Sequence, residues 1–341
     1  MSRKTKKVLA IILMIAITIS VGSPACAKTD TVVMDSLYTE CQNDNEIMLT
    51  NSDFSTFDNV ITQSVTVDED GMIVRKFDNI DSFILKVKEN NPDISDYQIA
   101  EYILQFIGQD CEAIPESEIL KVLNYKSITS SDSYVTIDEE GNVYKSTNEA
   151  QLCADWTSLD NCMKITTNYA YQGMEDDEES YSVWSTATWL IYPSWGFTDL
   201  FTLGTNATYV NGSTFGSVNQ TFDCTSGCNK RTYRGRSVTS SDTSDGDLAL
   251  KYSSGLPVLE FDALTPTCDY CGGGATDAYF STYISYEVLV SGSKNIYASY
   301  AHKTIAPGVI NITFGSDGKP NFSVGILGLE EYEAEGLEVK N

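Results

Sequence analysis

The sequence predicts an α+β N-terminal unit followed by a mostly-β domain, the latter an antiparallel β-sandwich or a barrel-like closure. Three observations carry this expectation. Two acidic turns ending in glycine, at 68–71 and 138–141, each separate stretches that alternate apolar and polar residues. Helical periodicity is confined to the segment between them. After Thr147 the chain becomes rich in Ser, Thr, Tyr and Gly and alternates repeatedly, with no helical pattern.

The first turn lies between Val65-Thr66-Val67 and Met72-Ile73-Val74, with Gly71 free to take positive φ. The second lies between Val135-Thr136-Ile137 and Val143-Tyr144, with Gly141 in the same place, and a third Asp-Gly turn stands at Asp317-Gly318. Between the first two, Ile80, Phe83, Ile84 and Val87 share one helical face. Ser95 heads a second helix carrying Ile99, Tyr102, Ile103 and Phe106. Gln98 completes a capping box with Ser95, and Gly108 sits where a C-terminal glycine belongs. Pro115 opens a third helix, expected to bury Ile119, Leu120 and Leu123. Further on, Phe280, Ile284, Tyr286, Val288 and Val290 fall on one strand face. Ile310, Ile312 and Phe314 alternate before the Asp317-Gly318 turn, and Phe322, Val324 and Ile326 alternate after it.

The first 27 residues read as an export signal. Arg3, Lys4, Lys6 and Lys7 precede an uncharged, mostly apolar run from Val8 to Val21, and Ala25 and Ala27 suit cleavage after Ala27. The run is short for a membrane span of about 20 residues. Lipid attachment at Cys26 would want a Leu-like residue where Ser23 stands. The expected organisation is therefore a signal at 1–27, a loosely ordered segment at 28–60, a small α+β domain at 61–149 and a β-sandwich-like domain at 150–341, secreted and extracellular. The signal holds four of the 22 basic residues and none of the 48 acidic ones, leaving 18 against 48. A surface that acidic repels nucleic acid and anionic membranes.

Eight cysteines follow Cys26: Cys41, Cys111, Cys153, Cys162, Cys224, Cys228, Cys268 and Cys271. Export favours disulfides, with Cys41–Cys111, Cys153–Cys162 and pairing among the last four as the expected grouping. The Cys224-x3-Cys228 and Cys268-x2-Cys271-Gly272 pairs admit a second reading, four thiolates around zinc, with the glycine letting backbone N–H groups turn toward sulfur. No other cofactor is expected. A redox Cys-x-x-Cys would open a helix after a strand, a setting this segment lacks.

His302 is the sole histidine, so no two-histidine metal site can form within one chain. It alternates with Ile296, Ala298 and Tyr300, a core-like strand face that favours a structural role over that of a catalytic base. Neither a nucleophile elbow nor a phosphate loop is present. Paired carboxylates remain open, because a glycosidase needs only two about 5–10 Å apart. The run Glu175–Glu179 lacks the spacing of a calcium loop and reads as a solvated acidic loop. Among the aromatics between Tyr181 and Tyr209, Trp195, beside Pro193 and Gly196, is the ligand-stacking candidate. Lys230, Arg231, Arg234 and Arg236 form the one basic cluster after the signal. They are candidates for anion binding or, alternatively, a charged strand edge.

These features favour a binding or surface-interaction protein for a glycan, a cell-wall polymer or another extracellular surface, and no catalytic residue is assigned. Two alternatives stand beside it. One is a pore-forming or bacteriocin-like toxin that meets a membrane through the Ser/Thr-rich residues 205–255. The other is a carbohydrate-active hydrolase using two carboxylates.

Overall fold

The computed structural model describes residues 63–67, 73–137, 143–146, 162–175, 177–191, 198–262, 264–303, 310–324, 329–333 and 336–339. The expected signal, the segment 28–60, Cys26, Cys41, Cys153 and Trp195 lie outside them. Among the described residues no helix is long and apolar enough to cross a membrane.

The chain begins with the first predicted hairpin, β1 (Gln63–Val67) and β2 (Ile73–Asp78), paired in register Val67↔Ile73. Two helices follow, α1 (Ile80–Asn90) and α2 (Asp96–Phe106). Ser95 Oγ accepts from the Gln98 N–H at 3.2 Å, and the Gln98 side chain accepts from the Ser95 N–H at 3.0 Å, so the capping box forms as the sequence predicts. The third expected helix is reduced to one α turn, α3 (Glu116–Ile119), continued by a 3₁₀ stretch over Leu120–Asn124. Tightening to three residues per turn moves the buried face to Ile119 and Val122 and leaves Leu120 38% exposed, which corrects the burial expected for Leu120.

The remaining elements are strands: β3 (Ser127–Ile137), β4 (Val143–Ser146), β5 (Cys162–Glu175), β6 (Glu178–Ile191), β7 (Thr198–Thr205), β8 (Thr208–Tyr209), β9 (Phe215–Cys224) and β10 (Arg231–Thr239). They continue with β11 (Ser244–Asp245), β12 (Leu248–Ser253), β13 (Leu256–Asp262), β14 (Ala275–Val290), β15 (Lys294–Lys303), β16 (Ile310–Phe314), β17 (Pro320–Val324), β18 (Leu329–Glu333) and β19 (Leu337–Val339). The second predicted hairpin is the β3–β4 pair, in register Ile137↔Val143. The third is β16–β17, where Gly318 takes φ +86° at the Asp317-Gly318 turn.

The strands form a mostly antiparallel sandwich. The larger sheet runs β1-β2-β3-β5-β6-β14-β9-β10, with β4 beside β3 and β8 beside β14. The smaller runs β11-β12-β13-β7-β15-β18, with β19 beside β15. The strands before and after the expected boundary at 149/150 belong to one sheet, because β3 pairs with β5 from Ser127↔Tyr171 to Val135↔Met163.

Period-two alternation assigns the two faces of the larger sheet. One face contributes Val135, Ile165, Val183, Ala187, Ile284, Tyr286 and Val288 to a core shared with Phe201, Leu203, Leu259, Phe261 and Tyr300 of the smaller sheet. The other contributes Ile128, Ala170, Trp184 and Tyr283 to a second core under the helices, with Phe77, Phe83, Ile99, Ile103 and Val122. The predicted face of β14, from Phe280 to Val290, is thus the central seam of the sandwich. The β16–β17 hairpin covers a small third cluster of Leu200, Val258 and Ala301 with Ile312, Phe314 and Phe322.

Candidate functional site

At one end of the larger sheet, β9 leads into a tight loop and returns as the edge strand β10, in register Asp223↔Arg231. Against this loop lies the connection from β13 to β14. Thr225 donates its N–H and its hydroxyl to the Gly274 carbonyl, at 3.0 and 2.7 Å. Thr267 bridges Gly274, and the Asp269 N–H reaches Thr232 Oγ1 at 3.0 Å. The local conformation demands glycine: Gly227 and Gly272 take φ +86° and +64°, and a Cβ on Gly273 would stand 2.1 Å from Ser226 Oγ.

These two loops bring together Cys224, Cys228, Cys268 and Cys271, whose sulfurs all lie within 4.8 Å of one another. The separations are 3.4 Å for Cys228–Cys268 and 3.6 Å for Cys224–Cys271. A disulfide requires about 2.05 Å, so the expected disulfide pairing among these four is not formed in this geometry. The other two expected pairs each have one member, Cys41 or Cys153, outside the described residues. Backbone groups of Ser226 and Cys228 hydrogen-bond to Cys224 sulfur, that of Lys230 to Cys228, those of Tyr270 and Cys271 to Cys268, and that of Gly273 to Cys271. The neighbouring Cys228 thiol, with these backbone donors, lowers the Cys224 pKa.

The basic cluster lies on and beside β10, and its three guanidinium groups bond within the chain. Arg231 forms a two-pronged pair with Asp223, at 2.8 and 3.2 Å. Arg234 bonds Asp269 and Thr267. Arg236 is buried and reaches the Asp262 carbonyl and Gln220. Lys230 stands over the Tyr270 ring, 5.6 Å from its centroid. The guanidinium groups therefore knit the edge strand to its neighbours, which leaves Lys230 as the cation presented beside an exposed ring. Tyr270 is 65% exposed.

His302 is fully buried in the core. Its Nδ1 stands 2.8 Å from Asp199 Oδ1, and Asp199 also accepts from the Tyr300 hydroxyl. The Trp189 indole donates to the Tyr300 oxygen at 3.3 Å and packs edge-on against the His302 ring. The other buried acids are likewise engaged. Asp132 accepts from Arg75 at 2.8 Å and Thr166 at 2.7 Å and pairs with Lys164 at 3.3 Å. Burial pushes its pKa up, but Lys164, Arg75 and the hydrogen bonds outweigh burial and hold it below the usual carboxylate range. Glu118 accepts from Tyr283 and Ser285 and pairs with Lys121.

The acidic run forms the turn of the β5–β6 hairpin, where Glu175 pairs with Glu178 and Asp177 takes φ +69°. Of the aromatics in the run toward Tyr209, Tyr181, Trp184, Trp189 and Phe201 are core residues. Residues 205–255 supply β8 to β12, and β9 among them is paired on both sides, with β14 and β10. A shallow cleft near the β16–β17 turn is lined by Asn206, Tyr209, Leu256 and Phe314. Asn206 Oδ1 and Thr205 Oγ1, which border it, bond the chain's own backbone.

No protein-family model and no curated protein matches the chain. Among the solved structures that match it, two resemble it weakly. One is described as a pore forming protein, with TM-score 0.24 and 8% identity over 63% of this chain and 92% of the other. The second is the Clostridium perfringens NetB toxin in its membrane-inserted form, with TM-score 0.19 and 6% identity over 63% and 91%. Likeness at this level places no constraint on function.

Proposed function

We propose that the chain is an exported surface-interaction protein that contacts an extracellular polymer through the outer face of its cysteine loops. The carrying observation is Tyr270, 65% exposed, with the Lys230 ammonium over its ring. An exposed ring on a loop fixed by backbone hydrogen bonds offers stacking area at low entropic cost. The ammonium beside it suits a glycan or wall polymer bearing carboxylate or phosphate groups.

The test is retention of the exported chain on insoluble cell-wall polysaccharide and on anionic glycan beads. Retention should fall at least ~10-fold, about 1.4 kcal/mol, in the double variant Tyr270→Ala/Lys230→Ala. It should persist in Tyr144→Ala, which removes an exposed tyrosine from β4. Failure to bind any such polymer would overturn the proposal. So would dye release from liposomes by the same material, which would favour the membrane-acting reading.

A further inference from the structure

We propose that Cys224, Cys228, Cys268 and Cys271 bind one zinc ion in a closed, tetrahedral, structural centre. The first support is spacing. A tetrahedron of sulfurs with metal–sulfur bonds of about 2.3 Å has an edge of about 3.8 Å. Cys228–Cys268 and Cys224–Cys271 stand 3.4 and 3.6 Å apart, and all four sulfurs lie within 4.8 Å. Two disulfides would need each bonded pair at about 2.05 Å, well inside the Cys228–Cys268 and Cys224–Cys271 separations found here.

The second support is the backbone. Each sulfur receives at least one backbone hydrogen bond, Cys224 and Cys268 two each. Donors converging on sulfur are what a thiolate ligand requires, and they orient it as outer-shell partners do in metal sites. The left-handed Gly227 and Gly272, together with the missing Cβ at Gly273, let both loops fold around their sulfurs in this way.

The third support is local charge. Four thiolates and one divalent ion carry a net −2. In a chain of net −26, Lys230 in the first loop and Arg231 and Arg234 on the adjoining strand β10 stand beside Asp223 and Asp269. Arg231 pairs with Asp223 and Arg234 with Asp269, the carboxylates directly adjacent to Cys224 and Cys268. The basic cluster thus offsets the negative charge that flanks the ligands.

Soft thiolates in a four-sulfur set select zinc over calcium or magnesium. Four protein ligands leave no open position, so the ion would staple the β9–β10 loop to the β13–β14 connection without taking part in chemistry. Binding proceeds from four thiols and Zn²⁺ to the tetrathiolate complex with release of four protons, and no electron is transferred.

Native mass spectrometry of the exported chain, with thiol titration in denaturant, tests this. The expected result is one zinc per chain, with all four thiols recovered when the metal is released. Replacement by Co²⁺ should give the intense near-ultraviolet sulfur-to-cobalt absorption of a tetrathiolate. Both signals should vanish in Cys224→Ser/Cys271→Ser. A metal-free chain in which peptide mapping finds Cys224, Cys228, Cys268 and Cys271 joined in disulfides would overturn the proposal, as would bound iron or these four thiols free without metal. The wild-type measurements decide even if the variant fails to fold, and they do not depend on polymer binding.

Discussion

Arg234 Nη2 lies 2.6 Å from Asp269 Oδ1, joining the edge strand β10 to the residue that follows Cys268. The same guanidinium reaches the Thr267 hydroxyl at 2.9 Å and the Thr267 carbonyl at 3.3 Å. One side chain therefore fixes both the loop before the second cysteine pair and the charge beside it. Arg234 also stacks over Phe222 of β9, 5.4 Å from the ring centroid.

Arg234→Ala should lower stability by about 1 kcal/mol, since exposed pairs contribute little and the hydrogen bonds to Thr267 add to the loss. A urea melt reads the change. Because Arg234 is not a ligand, metal content should stay at the wild-type level in this variant.

Asp132→Asn should cost about 3 kcal/mol, because it leaves Arg75 and Lys164 partly buried without their counter-charge. The wild-type carboxyl has a pKa below its unfolded value of about 3.9. Its contribution is therefore complete above that value and is lost as pH falls toward the folded-state pKa. Denaturant midpoints measured from pH 7 down to pH 3 should decline in wild type, and the decline should be shallower in Asp132→Asn.

His302→Ala should destabilise the sandwich by about 3 kcal/mol, since Asp199 would keep only Tyr300 as a side-chain partner in a fully buried setting. Thermal unfolding tests this. Under the proposed function, polymer retention of the folded fraction should not change, because the pair lies in the core and not at the cysteine loops.

Local features of the fold were legible because their determinants are close in sequence. The Ser95–Gln98 box, the β1–β2 and β3–β4 pairings, the Asp317-Gly318 turn and the alternating face of β14 each follow from a few adjacent residues. The sheet order was not legible. β14 lies between β6 and β9, pairing Ile284 with Ser185 on one side and Gly216 on the other, and no periodicity encodes partners so far apart. Continuity of β3 with β5 was hidden for the same reason, so the residues around 149/150 read as a boundary. The third helix misled because Ile119, Leu120 and Leu123 fit an α period, whereas the 3₁₀ continuation selects Val122.

At the candidate site, spacing alone suggested that the four cysteines act together, but not how far apart their sulfurs would stand. The fate of the arginines depended on which acids the fold delivered. Asp223 lies opposite Arg231 across one hairpin and was within reach of register reasoning, whereas Asp269 arrives from another connection altogether. Tyr270 carried no signal beyond its place inside Cys268-x2-Cys271, and its exposure became visible only with the loop folded.

Zinc K-edge X-ray absorption on the purified chain tests the central claim most directly. The expected spectrum shows four sulfur neighbours at about 2.3 Å with no lighter ligand. A first shell of oxygen or nitrogen, or no zinc edge above background in protein purified without chelator, would contradict it.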